Sequence, residues 1–175
     1  KLDKSNVVIL GGTGPVGVAS AVICAKAGAN VTLVGRSLEK AEKIAGICND
    51  RYDSKNVKGG ADADKSDFFN VADIVLNTGA AGIQLMSEEH IKNSNTLKIC
   101  ADTNAVPPSG IAGVDVMDNG KAIDMSPSKC LGIGALAIGN IKYKSQHECL
   151  KLMYTSEKPV YLDFEDAFKF AQKSV

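Results

Sequence analysis

Short runs of β-prone apolar residues alternate along the chain with longer segments whose apolar and polar positions recur at helical spacing, the pattern of βαβ units around a parallel sheet. The runs predict strands at residues 7–10, 31–34, 57–59, 74–77, 97–101 and 160–163. Between the first two, residues 15–28 carry small or apolar side chains on almost every side, which suits a helix lying close on a sheet and stopping at a glycine. Ser37 stands where it can cap a second helix over 38–48. Residues 103–129 show little periodicity and hold three of the five prolines, so that stretch is expected to be mostly loop. Helical spacing returns over 131–144, and Asp163 is placed to cap a last helix reaching Lys173. No internal repeat, low-complexity tract or long linker interrupts the pattern, so residues 1–175 are expected to form one domain.

The first turn of this pattern carries chemistry. "LGGTGPVGV", residues 10–18, sets a glycine-rich loop directly after an apolar strand and directly before a helix. In that order Gly12 permits the tight turn, Gly14 lets the backbone approach a pyrophosphate, and Gly17 lets the helix lie close to the strand. Pro15 sits where a missing N–H costs no intrahelical bond, and the phosphates would meet the unpaired N–H groups of a helix start. Thr13 and Val16 complete the loop, so Gly12, Thr13, Gly14, Pro15, Val16 and Gly17 are candidate cofactor-binding residues. With this loop in place the expected fold is α/β: a Rossmann-type doubly wound, mostly parallel sheet with helices on both faces.

The second predicted strand speaks to which dinucleotide. An NAD site usually ends that strand in Asp or Glu; here it ends in "VGRSLEK", with Gly35 making room and Arg36, Ser37 and Lys40 offering two cations and a hydroxyl where an NADP 2′-phosphate would lie. NADP is the expected cofactor. Open parallel sheets bind ligands beyond the carboxyl ends of their strands, which brings in residues 77–82 and 102–108 on the nicotinamide side.

Composition narrows the partners. Twenty basic residues balance twenty acidic ones, so no electrostatic footprint points to nucleic acid. The uncharged apolar run 131–140 is far shorter than the ~20 residues a bilayer requires, and no membrane partner is expected. Cys24, Cys48, Cys100, Cys130 and Cys149 lack metal-ligand spacing and read as reduced, mostly packed thiols; no metal site is indicated. His90 and His147 read as surface residues. The chain opens at Lys1 without an initiator methionine, so something upstream is expected to have been removed, or the sequence to begin mid-protein.

Taken together, "GGTGPVG", "LVGRSLEKA", "NTGAAGIQL", "ADTNAVPPSGIAGVDVMDNGK" and "GIGALAIGNIKYKSQH", in that order, resemble the cofactor domain of bacterial NADP-dependent methylene-tetrahydromethanopterin dehydrogenases, over nearly the whole chain. The resemblance implies a cytoplasmic one-carbon enzyme of formaldehyde metabolism in methylotrophs that is a homo-oligomer, a trimer. Its reaction moves hydride from the methylene carbon of a reduced pterin, of tetrahydromethanopterin or tetrahydrofolate type, to NADP. It carries residues 12–17 to the pyrophosphate, Arg36, Ser37 and Lys40 to the 2′-phosphate, and Thr78, Gly79, Ala80 and Asn104 to the nicotinamide region, with Ile133 and Gly134 as further candidates there. No catalytic acid or base is implied, because the nitrogen lone pairs stabilise the cation that hydride loss leaves behind. The family's amino-terminal, pterin-side domain is absent from this sequence, and residues 1–6 read as the end of the connection to it. Two other readings stay open: an NADP oxidoreductase of shikimate dehydrogenase-like layout, and a stand-alone NADP-binding sensor or interaction module.

Overall fold

The computed structural model describes residues 2–174. Three strands alternate with two helices at the start: β1 (Asn6–Leu10), α1 (Pro15–Lys26), β2 (Asn30–Gly35), α2 (Leu38–Tyr52) and β3 (Val57–Ala61). A 3₁₀ turn (Asp62–Asp64) and the short α3 (Lys65–Phe69) lead to β4 (Ile74–Asn77), α4 (Glu88–Asn93) and β5 (Ile99–Asp102). The remainder comprises β6 (Asn119–Ala122), β7 (Leu131–Ile133), α5 (Ala135–Thr155) and α6 (Phe164–Gln172). The seven strands form one sheet in the order β3-β2-β1-β4-β5-β7-β6, parallel throughout except for β6, which runs against β7. This is the doubly wound arrangement expected from the pattern, with β4 at the centre, β1 beside it, and the order reversing between the two.

The period-two alternation of the strands decides which side chains meet which helices. Val7, Ile9, Val31 and Leu33 point to one side and pack with Ala21, Val22 and Cys24 of α1 and with Ala45 and Cys48 of α2. Val8, Leu10, Val34, Val75 and Cys100 point to the other and pack with Phe69, Ile91, Met86 and Ile111. Both faces of the inner strands are therefore buried, as their unbroken apolar runs require. The segment before β1 is stitched to this core: Leu2 packs at its edge and Lys4 N–H donates to the Gly28 carbonyl at 2.9 Å. Lys1, the first residue of the expected connecting segment, lies outside the described residues.

Three expectations need correction. Residues 131–144 are not one helix. Leu131–Ile133 pair with β5 as a parallel strand, and the helix begins only after Gly134, which adopts an extended conformation. Residues 160–163 form no strand: they connect α5 to α6, and Asp163 is committed to capping α6, its carboxylate accepting from Glu165 N–H at 2.8 Å. The expected loop 103–129 contains β6, an edge strand whose four residues are all exposed and so carry no apolar signal. α3 and α4 have no counterpart in the expected pattern, and α5 runs on to Thr155; elsewhere the shifts are at element ends, as in α2, which runs to Tyr52 rather than 48, and β5, which starts at Ile99 rather than 97.

Candidate functional site

The carboxyl ends of β1, β2 and β4 open into a cleft of about 500 Å³. Its floor depends on Gly11. That residue has φ +65°, and a Cβ there would lie 2.5 Å from Gly79 Cα, so only glycine lets the loops after β1 and β4 touch. The chain then turns into α1. Gly14 caps the helix without a side-chain bond, Pro15 brings no N–H, and Val18 N–H is the first to find an intrahelical acceptor, the Gly14 carbonyl at 2.9 Å. Among the described residues no protein acceptor meets the N–H groups of Val16 and Gly17. A Cβ added at Gly14 would meet only the Gly11 carbonyl oxygen, at 3.7 Å, whereas at Gly12 it would strike the Leu33 side chain and the Ile9 carbonyl, and at Gly17 the Gly12 backbone. Gly12 and Gly17 are thus needed for packing, and Gly14 for the space in front of it.

Arg36, Ser37 and Lys40 follow β2 and are all exposed. With Thr13 they line a recess of about 330 Å³, and Thr13 and Arg36 also line the main cleft, so the two are continuous. The Ser37 hydroxyl accepts from Lys40 N–H at 3.3 Å, capping α2 as expected while keeping its own proton available. The space at Gly35 is taken by Thr13, whose Cγ2 lies 2.7 Å from where a Cβ would stand. That glycine makes room for the loop itself rather than for a ligand. Asp62, at the end of β3, also lines the cleft.

Thr78, Gly79 and Ala80 line the opposite side, together with Ile83 and Leu85. Beneath them lies a polar network that the sequence did not single out. Asn77 and Asp102 are level with one another at the ends of β4 and β5, both buried. Asp102 Oδ1 accepts from Asn77 Nδ2 at 2.7 Å and from Asn104 N–H at 2.9 Å. Its Oδ2 accepts from the N–H groups of Gly110 and Ile111 at 2.7 and 3.1 Å. Four donors on one buried carboxylate satisfy it fully and hold the long loop after β5 in place. The hydroxyls of Thr78 and Thr103 repeat one device, bonding to the carbonyls of Leu10 and Asn77 on the neighbouring strands, each at 2.9 Å.

Not every expected site residue reaches the cleft. Asn104 is buried beneath it: its Oδ1 accepts from Gly82 and Val106 N–H groups and its Nδ2 donates to the Pro108 carbonyl, so it joins two loops instead of facing a ligand. Ile133 lines a separate apolar cleft of about 640 Å³ under α5 and α6. Gly134 is covered by the backbone of Asp115 and Val116. Cys24, Cys48, Cys100 and Cys130 are buried free thiols, burial pushing Cys24 up to about 11, and Cys149 is half-buried. No group of His, Cys, Asp and Glu among the described residues is arranged to hold a metal. His147 is exposed, but His90 is half-buried, its ring closing the start of α4, which corrects its reading as a plain surface residue. No helix is long and apolar enough to cross a membrane among the described residues.

No protein-family model matches the chain. It is 38% identical over 173 residues, 97% of its length, to an NAD(P)-dependent methylenetetrahydromethanopterin dehydrogenase of Methylorubrum extorquens, of which it covers 58%. The bifunctional protein MdtA of the same organism is 37% identical over 149 residues, 83% of this chain and 50% of that protein. The chain thus spans about half the length of the curated relatives it matches. Among solved structures, quinate dehydrogenase from Corynebacterium glutamicum in complex with NAD superposes with a TM-score of 0.60 at 18% identity, over 100% of this chain and 56% of that one. The Mycobacterium tuberculosis shikimate dehydrogenase gives 0.54 at 15% identity, over 95% and 56%. These two share the Rossmann-type fold. By sequence, the chain is a homologue of the carboxy-terminal part of the methylenetetrahydromethanopterin dehydrogenase.

Proposed function

We propose that this chain is the NADP-binding domain of a dehydrogenase that removes hydride from the methylene carbon of methylene-tetrahydromethanopterin or methylene-tetrahydrofolate, leaving the methenyl cation. The observation that carries the cofactor half is the continuity of the cleft: free N–H groups at the start of α1 open into a space that runs on to Arg36, Ser37 and Lys40. Two clustered cations and a hydroxyl with no carboxylate at the end of β2 suit a dinucleotide carrying an extra phosphate. The pterin half rests on the homology, with the amino-terminal part that the longer relative carries expected to form the other wall of the substrate site.

When bound, the nicotinamide ring supplies the hydride acceptor. The chain's own residues then have positional tasks. Val16 and Gly17 N–H groups would donate to the pyrophosphate, Arg36 and Lys40 would neutralise the 2′-phosphate, and Gly79 and Ala80, without bulky side chains, would leave the β4 loop open to the ring. The Asn77–Asp102 pair keeps that loop fixed, which is how protein rigidity contributes to a transfer needing no proton relay.

Calorimetric titration with NADPH and NADH tests the reading. A preference for NADPH of roughly tenfold or more is expected from charge-assisted bonds to one phosphate, and equal affinities would overturn the NADP assignment. For the pterin, NADPH formation from methylene-tetrahydromethanopterin is expected to rise by orders of magnitude when the relative's amino-terminal part is supplied. The isolated chain matching that rate would mean that the substrate site lies wholly within these residues.

A further inference from the structure

One charge in the cleft has the wrong sign for a phosphate ligand. Asp62, the first residue of the 3₁₀ turn after β3, lines the same space as Thr13, Gly14 and Arg36, and a carboxylate there opposes the anions that the rest of the cleft attracts. Lys65 limits the penalty, its Nζ standing 3.0 and 3.2 Å from the two carboxylate oxygens. The Asp62 side chain nonetheless stays 40% exposed, with acceptor capacity left over.

Strand order says what that capacity meets. β1, β2 and β3 are adjacent and parallel, and Gly35 is level with Ala61, so the loops at their carboxyl ends follow one another across the cleft. A dinucleotide with its pyrophosphate at the β1 loop and its 2′-phosphate at Arg36 and Lys40 has the β3 loop left for its base. Adenine presents an exocyclic amine, a donor, and a carboxylate accepts only. We propose that Asp62 accepts a hydrogen bond from the adenine amino group and makes the site selective for adenine over a 6-oxopurine, with Lys65 positioning the carboxylate. This rests on the cofactor reading above and deepens it.

The test compares NADPH with its hypoxanthine analogue, in which a carbonyl replaces the amine, by calorimetric titration of the chain. The unsubstituted chain is expected to bind the adenine form roughly tenfold more tightly. Asp62→Asn, whose amide can donate to the 6-oxo group, should erase or reverse that preference, mainly by tightening the hypoxanthine form. Asp62→Ala should weaken NADPH binding without weakening that of the analogue. Equal affinity of the unsubstituted chain for both forms overturns the inference without any variant having to fold, and leaves the cofactor reading intact. Loss of both forms alike in the two variants also overturns it, since that is what a purely structural Asp62–Lys65 pair would give. Failure of the unsubstituted chain to bind either form removes the cofactor reading itself, and this inference with it.

Discussion

Two helices of this chain begin in nearly the same way, and only one of them opens into the cleft. Gly14 before α1 has φ −87° and ψ 170°; Gly134 before α5 has φ −90° and ψ 170°. Neither start has a side-chain cap or an acidic residue in its first turn. At α5 the segment 115–118, folded by the bonds of Asp115 N–H to Asp118 Oδ2 and of Met117 N–H to Asp115 Oδ1, lies across the helix start. It takes the Gly134 N–H on the Asp118 carbonyl at 2.8 Å and the Leu136 N–H on the Val116 carbonyl at 2.9 Å. At α1 the arriving loop stops at Gly11 against Gly79, and no acceptor among the described residues meets the Val16 and Gly17 N–H groups. Glycine and helix dipole are common to both, so the capacity to hold an anion is set by which loop covers the start.

Exchanging the two positions in experiment gives the sharpest break. Gly14→Val should fold normally, because its Cβ meets nothing closer than 3.7 Å, yet lower NADPH affinity roughly a hundredfold or more, the scale of losing several charge-assisted bonds of ~1.5–3 kcal/mol each. Circular dichroism with calorimetry separates fold from binding, and retained affinity would make the loop a turn without a ligand. Gly134→Val should do the reverse. Its Cβ would overlap the Asp115 and Val116 backbone, so urea unfolding should show a loss of about 1–3 kcal/mol, while the folded fraction keeps its NADPH affinity. A Gly134 variant of full stability would contradict the covered start.

Arg36→Asp sharpens the comparison at the far end of the open cleft. The new carboxylate repels a 2′-phosphate and can accept from ribose hydroxyls, so the preference should pass from NADPH to NADH, a swing of roughly tenfold or more in the affinity ratio. Both affinities falling equally would place Arg36 outside the phosphate contact.

What could be read in advance follows from where the signal lies. The inner strands β1 and β2 are buried on both faces and β4 is buried on one and half-buried on the other, so their apolar runs stand out; β6 is exposed along its length and has no such mark. The strand–glycine–helix order of residues 7–17 is local and legible. The Asn77–Asp102 pair is not, since the two residues are 25 apart in sequence and meet only when β4 and β5 align. Asn104 was legible as a polar residue near the carboxyl edge, but its burial and its three bonds belong to the folded loops. Gly134 misleads for the same reason, its covering segment being set by the turn at 115–118.

A third helix start is closed by a side chain where the start of α5 is closed by a loop, and it yields the smallest effect. At α4, Ser87 Oγ accepts from His90 N–H at 3.4 Å while Ser87 N–H donates to His90 Nδ1 at 3.1 Å, so the ring must stay neutral with its proton on Nε2, toward Ser66 Oγ at 3.3 Å. Burial, and next the nearby Lys65 charge, hold the His90 pKa below its ordinary 6.5. The unfolded chain therefore binds the proton more readily than the folded one. The stability this histidine contributes is present above its unfolded pKa and is lost as pH falls from 6.5 toward the lower folded value. His90→Gln keeps a reciprocal acceptor at the third helical position, where glutamine serves in capping boxes, and removes the titration. Its stability near pH 8 should stay within about 0.5 kcal/mol of the parent, and its loss of thermal midpoint between about pH 7 and about pH 5 should be smaller. Identical pH slopes in the two proteins would show that the cap tolerates a charged ring, and that the start of α4 is held by Ser87 alone.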